Sequence, residues 1–163
     1  MSNEVYGFAE FVDPISSAEE IADELQQSTG LGIVLIRPDE LYNFTVDYQP
    51  TANSLVFMVT DRPESKNATY LIDFEDYVSE AKIGLPTNGV QRLDLLLTTI
   101  ESLFTSHHAN RVCIAITDSS QIEECKVVSR TSLREVLLCD FEVLAPPCCL
   151  YDINEVEPPG ATG

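Results

Sequence analysis

The sequence predicts a single α/β domain, with α+β as the alternative, in which helices pack on a mixed central sheet. An apolar face with three- and four-residue spacing runs from Val90 to Phe104, and Asn88 stands where an N-cap would. An apolar, β-favouring run from Arg111 to Thr117 follows this helix, as expected of a strand buried on both faces. A helix that leads directly into a buried strand is typical of layered α/β and α+β domains.

The size of the chain fits one domain. Its 163 residues are 44% hydrophobic, which is enough for a full-sized core. We expect residues 1–156 to form this domain and residues 157–163 to be a disordered tail. The chain begins with an acidic segment, and no apolar run approaches the roughly eighteen residues of a membrane span. The sequence therefore predicts a cytoplasmic protein.

The first sixty residues predict one helix and four strands. Ser17 and Glu20 form a capping box, and the helix that it opens ends before Gly30. The segment 32–37 is apolar on both faces, which favours a central strand, and the segment 41–48 alternates between apolar and polar residues. The four predicted strands are 5–12, which is a first or edge strand, 32–37, 41–48 and 55–60.

The later elements are predicted from shorter patterns. The segment 122–129 is ambiguous between helix and strand, and its two adjacent valines favour a strand. Thr131 or Ser132 caps a helix that runs through Leu138. The remaining predicted elements are a strand at 68–73, a helix at 75–82, the long helix that follows Asn88, and a last edge strand at 148–153.

The net charge of −18 is concentrated near both ends of the sequence. Of 27 acidic residues, seven precede Arg37, the first basic residue, and six follow Arg134, the last. The middle of the chain is nearly balanced. Such a field repels nucleic acid and anionic membranes and attracts cationic proteins. We therefore expect no nucleic-acid or membrane partner.

Acids within the two terminal segments are the predicted partner-binding residues. One face of the first helix is acidic and has no Lys or Arg at the i+4 position to compensate it. A solvated face that only keeps the protein soluble is the alternative interpretation. However, the net charge exceeds the magnitude of about 2 to 8 that solubility requires in a small domain. The predicted residues are Glu19, Glu20, Asp23, Glu24, Asp140, Glu142 and Asp152.

Three apolar segments are each followed by an aspartate. If these segments were parallel neighbours in the sheet, their carboxyl ends could gather the aspartates around Mg²⁺. Aspartate is also common in turns and helix caps after strands, which is the simpler interpretation. The three residues are Asp61, Asp73 and Asp118.

No other group of residues makes a coherent case for catalysis. His107 and His108 could bind a metal together with Cys148 and Cys149, but an interaction with the helix C-terminal dipole explains the histidines without one. The chain has five cysteines, an odd number without Cys-x-x-Cys spacing, which indicates reduced core thiols. Phosphate-binding loops, nucleophile elbows and zinc motifs are missing from the sequence. We predict a binding protein and not an enzyme, without catalytic residues, a metal site or a cofactor.

The chain resembles the immunity proteins of contact-dependent and other polymorphic bacterial toxin systems. The resemblance lies in the single-domain size, the α/β pattern, and acids interleaved with aromatic residues at 73–77 and 139–142. It implies a cytosolic protein that binds one cognate toxin and blocks it, often by covering the basic cleft of a nuclease. A metal-dependent phosphoryl-transfer enzyme and an acidic adaptor or DNA mimic are the alternatives. The nearly balanced middle of the chain argues against a pure DNA mimic.

Overall fold

A computed structural model describes residues 4–15, 17–60, 63, 89–117, 121–143 and 147–154. In these ranges the strands form one mixed six-stranded sheet, and three helices accompany it. The predicted α/β domain with a mixed central sheet is therefore confirmed. The elements are β1 (Glu4–Phe11), α1 (Ala18–Thr29), β2 (Gly32–Leu35), β3 (Ser54–Thr60), α2 (Gly89–Thr105), β4 (Ala109–Thr117), β5 (Glu124–Ser129), α3 (Leu133–Val143) and β6 (Cys149–Asn154).

The strand order is β2-β3-β1-β4-β6-β5. All neighbouring pairs are antiparallel except β5 and β6, which are parallel. Parallel neighbours need a crossover connection, and the chain between them contains α3. The register places Glu10 opposite Arg111 and Cys113 opposite Asp152. Charged side chains from three strands thereby meet on one face of the sheet.

The helices pack on the other face of the sheet, which we call the helix face. Leu96 and Ile100 of α2 are 0% and 2% exposed and belong to the same apolar cluster as Val5, Phe57 and Ile114 of the central strands. The predicted core face of α2 is confirmed. Leucines of α1 and α3 join this cluster, so one continuous core holds the described helices on the sheet.

The segment 36–48 covers part of the opposite face, which we call the open face. The strand predicted at 41–48 is wrong, because the chain forms a 3-10 helix at Pro38–Glu40, just before these residues, and another at Val46–Tyr48, within them. Leu41 and Phe44, three residues apart, are buried, and the Phe44 ring lies 5.6 Å from that of Tyr6 and 6.2 Å from that of Phe8. The apparent alternation has no structural meaning, since Val46 is 86% exposed.

Two strands occupy different positions from those predicted. The segment predicted as a central strand forms β2, which ends at Leu35 and lies at the edge of the sheet. The strand is apolar although it lies at the edge, because α1 packs against it. The predicted last edge strand is β6, and it lies between β4 and β5. Leu150, Tyr151 and Ile153 are at most 1% exposed, so β6 is buried on both faces.

The remaining predictions have mixed outcomes. Residues 122–129 do form a strand, β5, and α3 begins after Ser132 but continues beyond Leu138 to Val143. The strand predicted at 68–73, the helix at 75–82, the Asn88 cap and the 157–163 tail lie outside the described residues. No helix in the described ranges is long and apolar enough to cross a membrane.

Candidate partner-binding surface

Helix α1 is fixed at both ends and on one side. Ser17 Oγ accepts a hydrogen bond from the backbone N–H of Glu20 at 3.2 Å, as predicted for the N-cap. Gly30 ends the helix with a φ of 79°, in the left-handed region that glycine favours. Ala22 and Leu25 are buried in the core. The orientation of the opposite helix side is therefore set by packing and capping together.

That opposite side carries four exposed acids. An exposed aspartate in the preceding turn adjoins them, and α1 itself has no Lys or Arg. We call this set the α1 acidic surface. The four helix acids are exposed, as the sequence pattern predicts. Their role in binding a partner stays a prediction. The members of the surface are Asp13, Glu19, Glu20, Asp23 and Glu24.

A groove of about 410 Å³ separates the start of α1 from the turn that follows α2. Asp13, Glu20 and Glu24 contribute to its lining, as do His107 and His108. The Nε2 atom of His107 lies 3.4 Å from Oε2 of Glu24, and the two side chains are 11% and 68% exposed. Among the described lining residues there is no Lys or Arg. The groove can therefore accept a cationic side chain between carboxylates.

Asp152, another predicted partner-binding residue, lies in a mostly buried ion pair on the open face. Arg111 donates to both of its oxygens, from Nε at 2.9 Å and from Nη2 at 3.1 Å, and Glu10 lies 3.4 Å from the same guanidinium. Asp152 is only 8% exposed. These hydrogen bonds raise the pKa of Arg111, and burial followed by the Asp152 charge raises that of the Cys113 thiol. The Asp152 charge is thus already compensated inside the protein.

The carboxylate of Asp140, on the helix face, is also paired with side chains of the protein itself. Its carboxylate accepts hydrogen bonds from Lys126 Nζ at 2.7 Å and from the Tyr151 hydroxyl at 2.6 Å, and its side chain is 12% exposed. Burial, together with this carboxylate, raises the pKa of Tyr151. The side chain of Glu142 lies outside the described residues. The C-terminal acids therefore do not assemble into a surface comparable to that of α1, and their contact with a partner stays a prediction.

Among the residues that the structure describes, the groups considered for metal or nucleophilic chemistry give no further site. Asp61, Asp73 and Asp118 lie outside the described residues, and within the described ranges no three His, Cys, Asp or Glu side chains are placed to hold a metal ion. None of the five cysteines forms a disulfide. Cys113, Cys148 and Cys149 are buried, but Cys125 and Cys139 are exposed, so the prediction of core thiols is wrong for these two. Burial raises the pKa of Cys149 to about 12, which keeps its thiol protonated.

Sequence reasoning missed two partly buried ion-pair clusters among the described residues. The available signal was a single cation in each β-prone segment, Arg111 before the apolar run and Lys126 within the ambiguous one. A cation that is withdrawn from most of its water requires an acidic partner. Which acid it meets depends on the strand order, because Lys126 finds Asp140 on α3 and Arg111 finds Asp152 on the neighbouring strand.

Comparisons with protein-family models, with curated proteins and with solved structures find no match for this chain.

Proposed function

We propose that this protein is an inhibitor that binds a basic enzyme through the α1 acidic surface and neutralises it. The observation that carries the proposal is the exposure of four carboxylates on one side of a capped helix that has no Lys or Arg. Within the described residues, the acids at 140 and 152 are paired with a Lys and an Arg, whereas of the α1 acids only Glu24 lies close to a basic side chain, that of His107. The surface is therefore largely free to attract an external cation.

The spacing of the acids along α1 also supports a role in binding a cationic partner. The pairs Glu19 with Asp23 and Glu20 with Glu24 are four residues apart, where like charges destabilise a helix by about 0.2 to 0.5 kcal/mol per pair. A partner with a complementary cationic cleft converts this repulsion into attraction. The helix is already held by its caps and its core contacts, so little ordering is required when the partner binds.

The magnitude of these interactions indicates how the surface acts. An exposed ion pair contributes no more than about 1 kcal/mol, so single contacts cannot supply tight binding. Several acids on one surface instead accelerate association and select for cationic partners. The proposed enzyme class is a toxin nuclease in the cytoplasm, since an enzyme that binds nucleic acid has the basic cleft that such a surface fits. The protein would then act as an immunity protein.

The test uses two variants with the same change in net charge. Glu20→Lys with Asp23→Lys alters the α1 acidic surface, and Asp47→Lys with Glu123→Lys alters exposed acids elsewhere. Basic proteins captured from the host lysate by the wild-type protein are identified and purified. Their cleavage of DNA and RNA is then measured with each protein added in equimolar amount. We expect inhibition by the wild type and by the control variant.

For the α1 variant we expect association to slow by about tenfold or more at low salt, because steering by several charges is lost. The difference between the two variants should decrease as salt is raised, since the screening length is only about 10 Å at 0.1 M. Equal losses in both variants would contradict a localised surface. A captured partner that binds but whose activity is unaffected would indicate an adaptor instead of an inhibitor.

A further inference from the structure

Strand β5 forms one edge of the sheet. It pairs with β6 on one side, and within the described residues its other side has no strand neighbour. Cys125 is exposed, and the side chain of Val127 is 54% exposed, although it is apolar. An edge strand presents a row of backbone N–H and C=O groups that another extended segment can pair with. Natural edges are usually protected by charged side chains, proline or a bulge. The lysine of β5, Lys126, is held by Asp140 at 2.7 Å, and the exposed position 127 carries none of these devices.

A groove of about 600 Å³ runs beside this edge, between β5 and α3. Four consecutive strand residues, 126–129, line it. Successive side chains of a strand point to opposite faces of the sheet, so a groove on one face would be lined by every second residue. Because four consecutive residues line this groove, its wall is the edge of the strand. On the other wall lie Ser132, which precedes α3, and Val136 and Cys139 of α3. A chain added to β5 would therefore place every second side chain against α3.

The charges around the groove indicate the chemistry of the occupant. Glu124 on β5 and Glu135 on α3 are exposed. The cation in the groove, Lys126, is held by Asp140 at 2.7 Å, so its charge is compensated. A second copy of this chain, with a net charge of −18, would be repelled. A segment that carries Lys or Arg is attracted instead.

We propose that the β5 edge binds an extended, basic segment of another protein by strand addition. The backbone of that segment pairs with β5 between Glu124 and Val128. Its cationic side chains enter the groove near Glu124 and Glu135, on the side of the sheet that Lys126 faces. The apolar side chains between them point to the other side, beside the exposed Val127. This mode obtains affinity from main-chain hydrogen bonds and selectivity from alternate side chains. The inference concerns a different surface from the α1 acidic surface and does not depend on its function.

The probe is a synthetic octapeptide, acetylated and amidated, in which lysine alternates with valine. One control peptide has glutamate in place of lysine. A second keeps all side chains but is N-methylated at alternate residues, which removes the donors on one edge. Binding is measured by titration, and amide hydrogen exchange of the protein is followed residue by residue. We expect the probe to slow exchange of alternate amides between 124 and 128, and both control peptides to bind about tenfold or more weakly.

Two substitutions at one position test the groove. Cys139→Trp fills it and should weaken probe binding by about tenfold or more, whereas Cys139→Ser preserves its size and should leave binding unchanged. The Glu20→Lys/Asp23→Lys variant should also bind the probe normally, which separates this inference from the α1 proposal. Circular dichroism verifies that each variant is folded.

Several results would overturn the inference. These are the absence of probe binding at low salt, equal binding of the N-methylated peptide, or binding without slower exchange in β5. Protection of β5 by self-association, seen as a dimer in sedimentation without peptide, would also overturn it and would assign the edge to a second copy. Because the exchange measurement uses the unmodified protein, it remains decisive even if Cys139→Trp does not fold.

Discussion

Arg111 and Asp152 are joined by two parallel hydrogen bonds, of 2.9 Å from Nε and 3.1 Å from Nη2, in an ion pair that is largely shielded from water. Asp152→Ala leaves the guanidinium beside Glu10, at 3.4 Å, and the rings of Phe8 and Tyr48. Removing one partner of a mostly buried pair is costly because the other charge loses both of its short hydrogen bonds, so we expect a loss of about 3 kcal/mol in the free energy of unfolding. Urea denaturation measures it.

The matched control for this pair is Asp47→Ala, an exposed aspartate whose replacement should change stability by less than about 0.5 kcal/mol. The double change Arg111→Met with Asp152→Leu should recover most of the lost stability, because it removes both charges at similar volume. Equal effects of Asp152→Ala and Asp47→Ala would show that the pair contributes nothing to the fold.

The second prediction concerns the core face of α2. Leu96→Ala and Ile100→Ala should each reduce the free energy of unfolding by about 2 to 5 kcal/mol, since both side chains are almost fully buried and each truncation leaves a cavity. Thr98→Ala, on the exposed side of the same helix, should change it by less than about 0.5 kcal/mol. Chemical denaturation of the three variants compares them. A small effect at both core positions would be inconsistent with the packing of α2 on the sheet.

The third prediction separates stability from binding on α1. Asp23→Lys replaces the repulsion with Glu19 by an attractive pair four residues apart, so stability should rise by a few tenths of a kcal/mol. Its association with the captured basic enzyme should become slower at the same time. Thermal unfolding and association kinetics, each at low and high salt, measure the two effects. If stability and association both decreased, loss of fold would explain the result instead.

The fourth prediction is a pH dependence. Hydrogen bonds from Arg130, one of them 2.8 Å from Nε to Oε2, lower the pKa of Glu101 below its usual value of 4.5. A lowered folded pKa adds stability above the unfolded pKa, and this stability is lost as pH falls through the folded pKa. Because Glu101 is half-exposed, the contribution should not exceed about 1 kcal/mol.

Glu101→Gln should therefore lower stability at pH 7 and remove part of the decline that the wild type shows as pH falls below about 4.5. Glu135→Gln, an exposed glutamate on α3, is the control and should leave the decline unchanged. Denaturant midpoints at several pH values measure both. Parallel curves for the wild type and Glu101→Gln would contradict the linkage.

The fifth prediction addresses the alternative of a metal-dependent enzyme. Mg²⁺ or Mn²⁺ at about 10 mM should leave the melting temperature unchanged, because a metal raises it only by binding the folded state. A rise that is abolished by alanine at Asp61, Asp73 or Asp118 would instead favour catalysis. Differential scanning fluorimetry with Na₂SO₄ at matched ionic strength as the control distinguishes binding from a salt effect.

Local features of the fold were predictable from the sequence, but strand neighbours were not. The Ser17 cap, the Gly30 end and the buried face of α2 depend on residues close together in the chain, so their patterns identify them. The placement of β2 and β6 depends on pairing between distant segments. Both are apolar, and an edge strand covered by a helix has the same composition as a central one.

The same distinction applies to the candidate surface. The acids of α1 were correctly expected to be exposed because the helical period separates them from Ala22 and Leu25. Asp140 and Asp152 were grouped with them by charge alone. In the fold, each forms an ion pair with a basic residue from another segment of the chain, Lys126 and Arg111 respectively. A count of acids therefore overestimates the free negative charge wherever the sheet register brings a Lys or Arg beside one of them.

The strand order also has a consequence for the nascent chain. A ribosome delivers β5 before β6, yet β6 is the strand that joins β5 to the rest of the sheet. Until Cys149–Asn154 has emerged, β4 and β5 each have an unoccupied edge, and β4 is already pairing with β1 from the opposite end of the sequence. Such late insertion of a strand slows folding and exposes apolar edges to aggregation. A chaperone bound during synthesis would protect this protein most just before β6 leaves the ribosome.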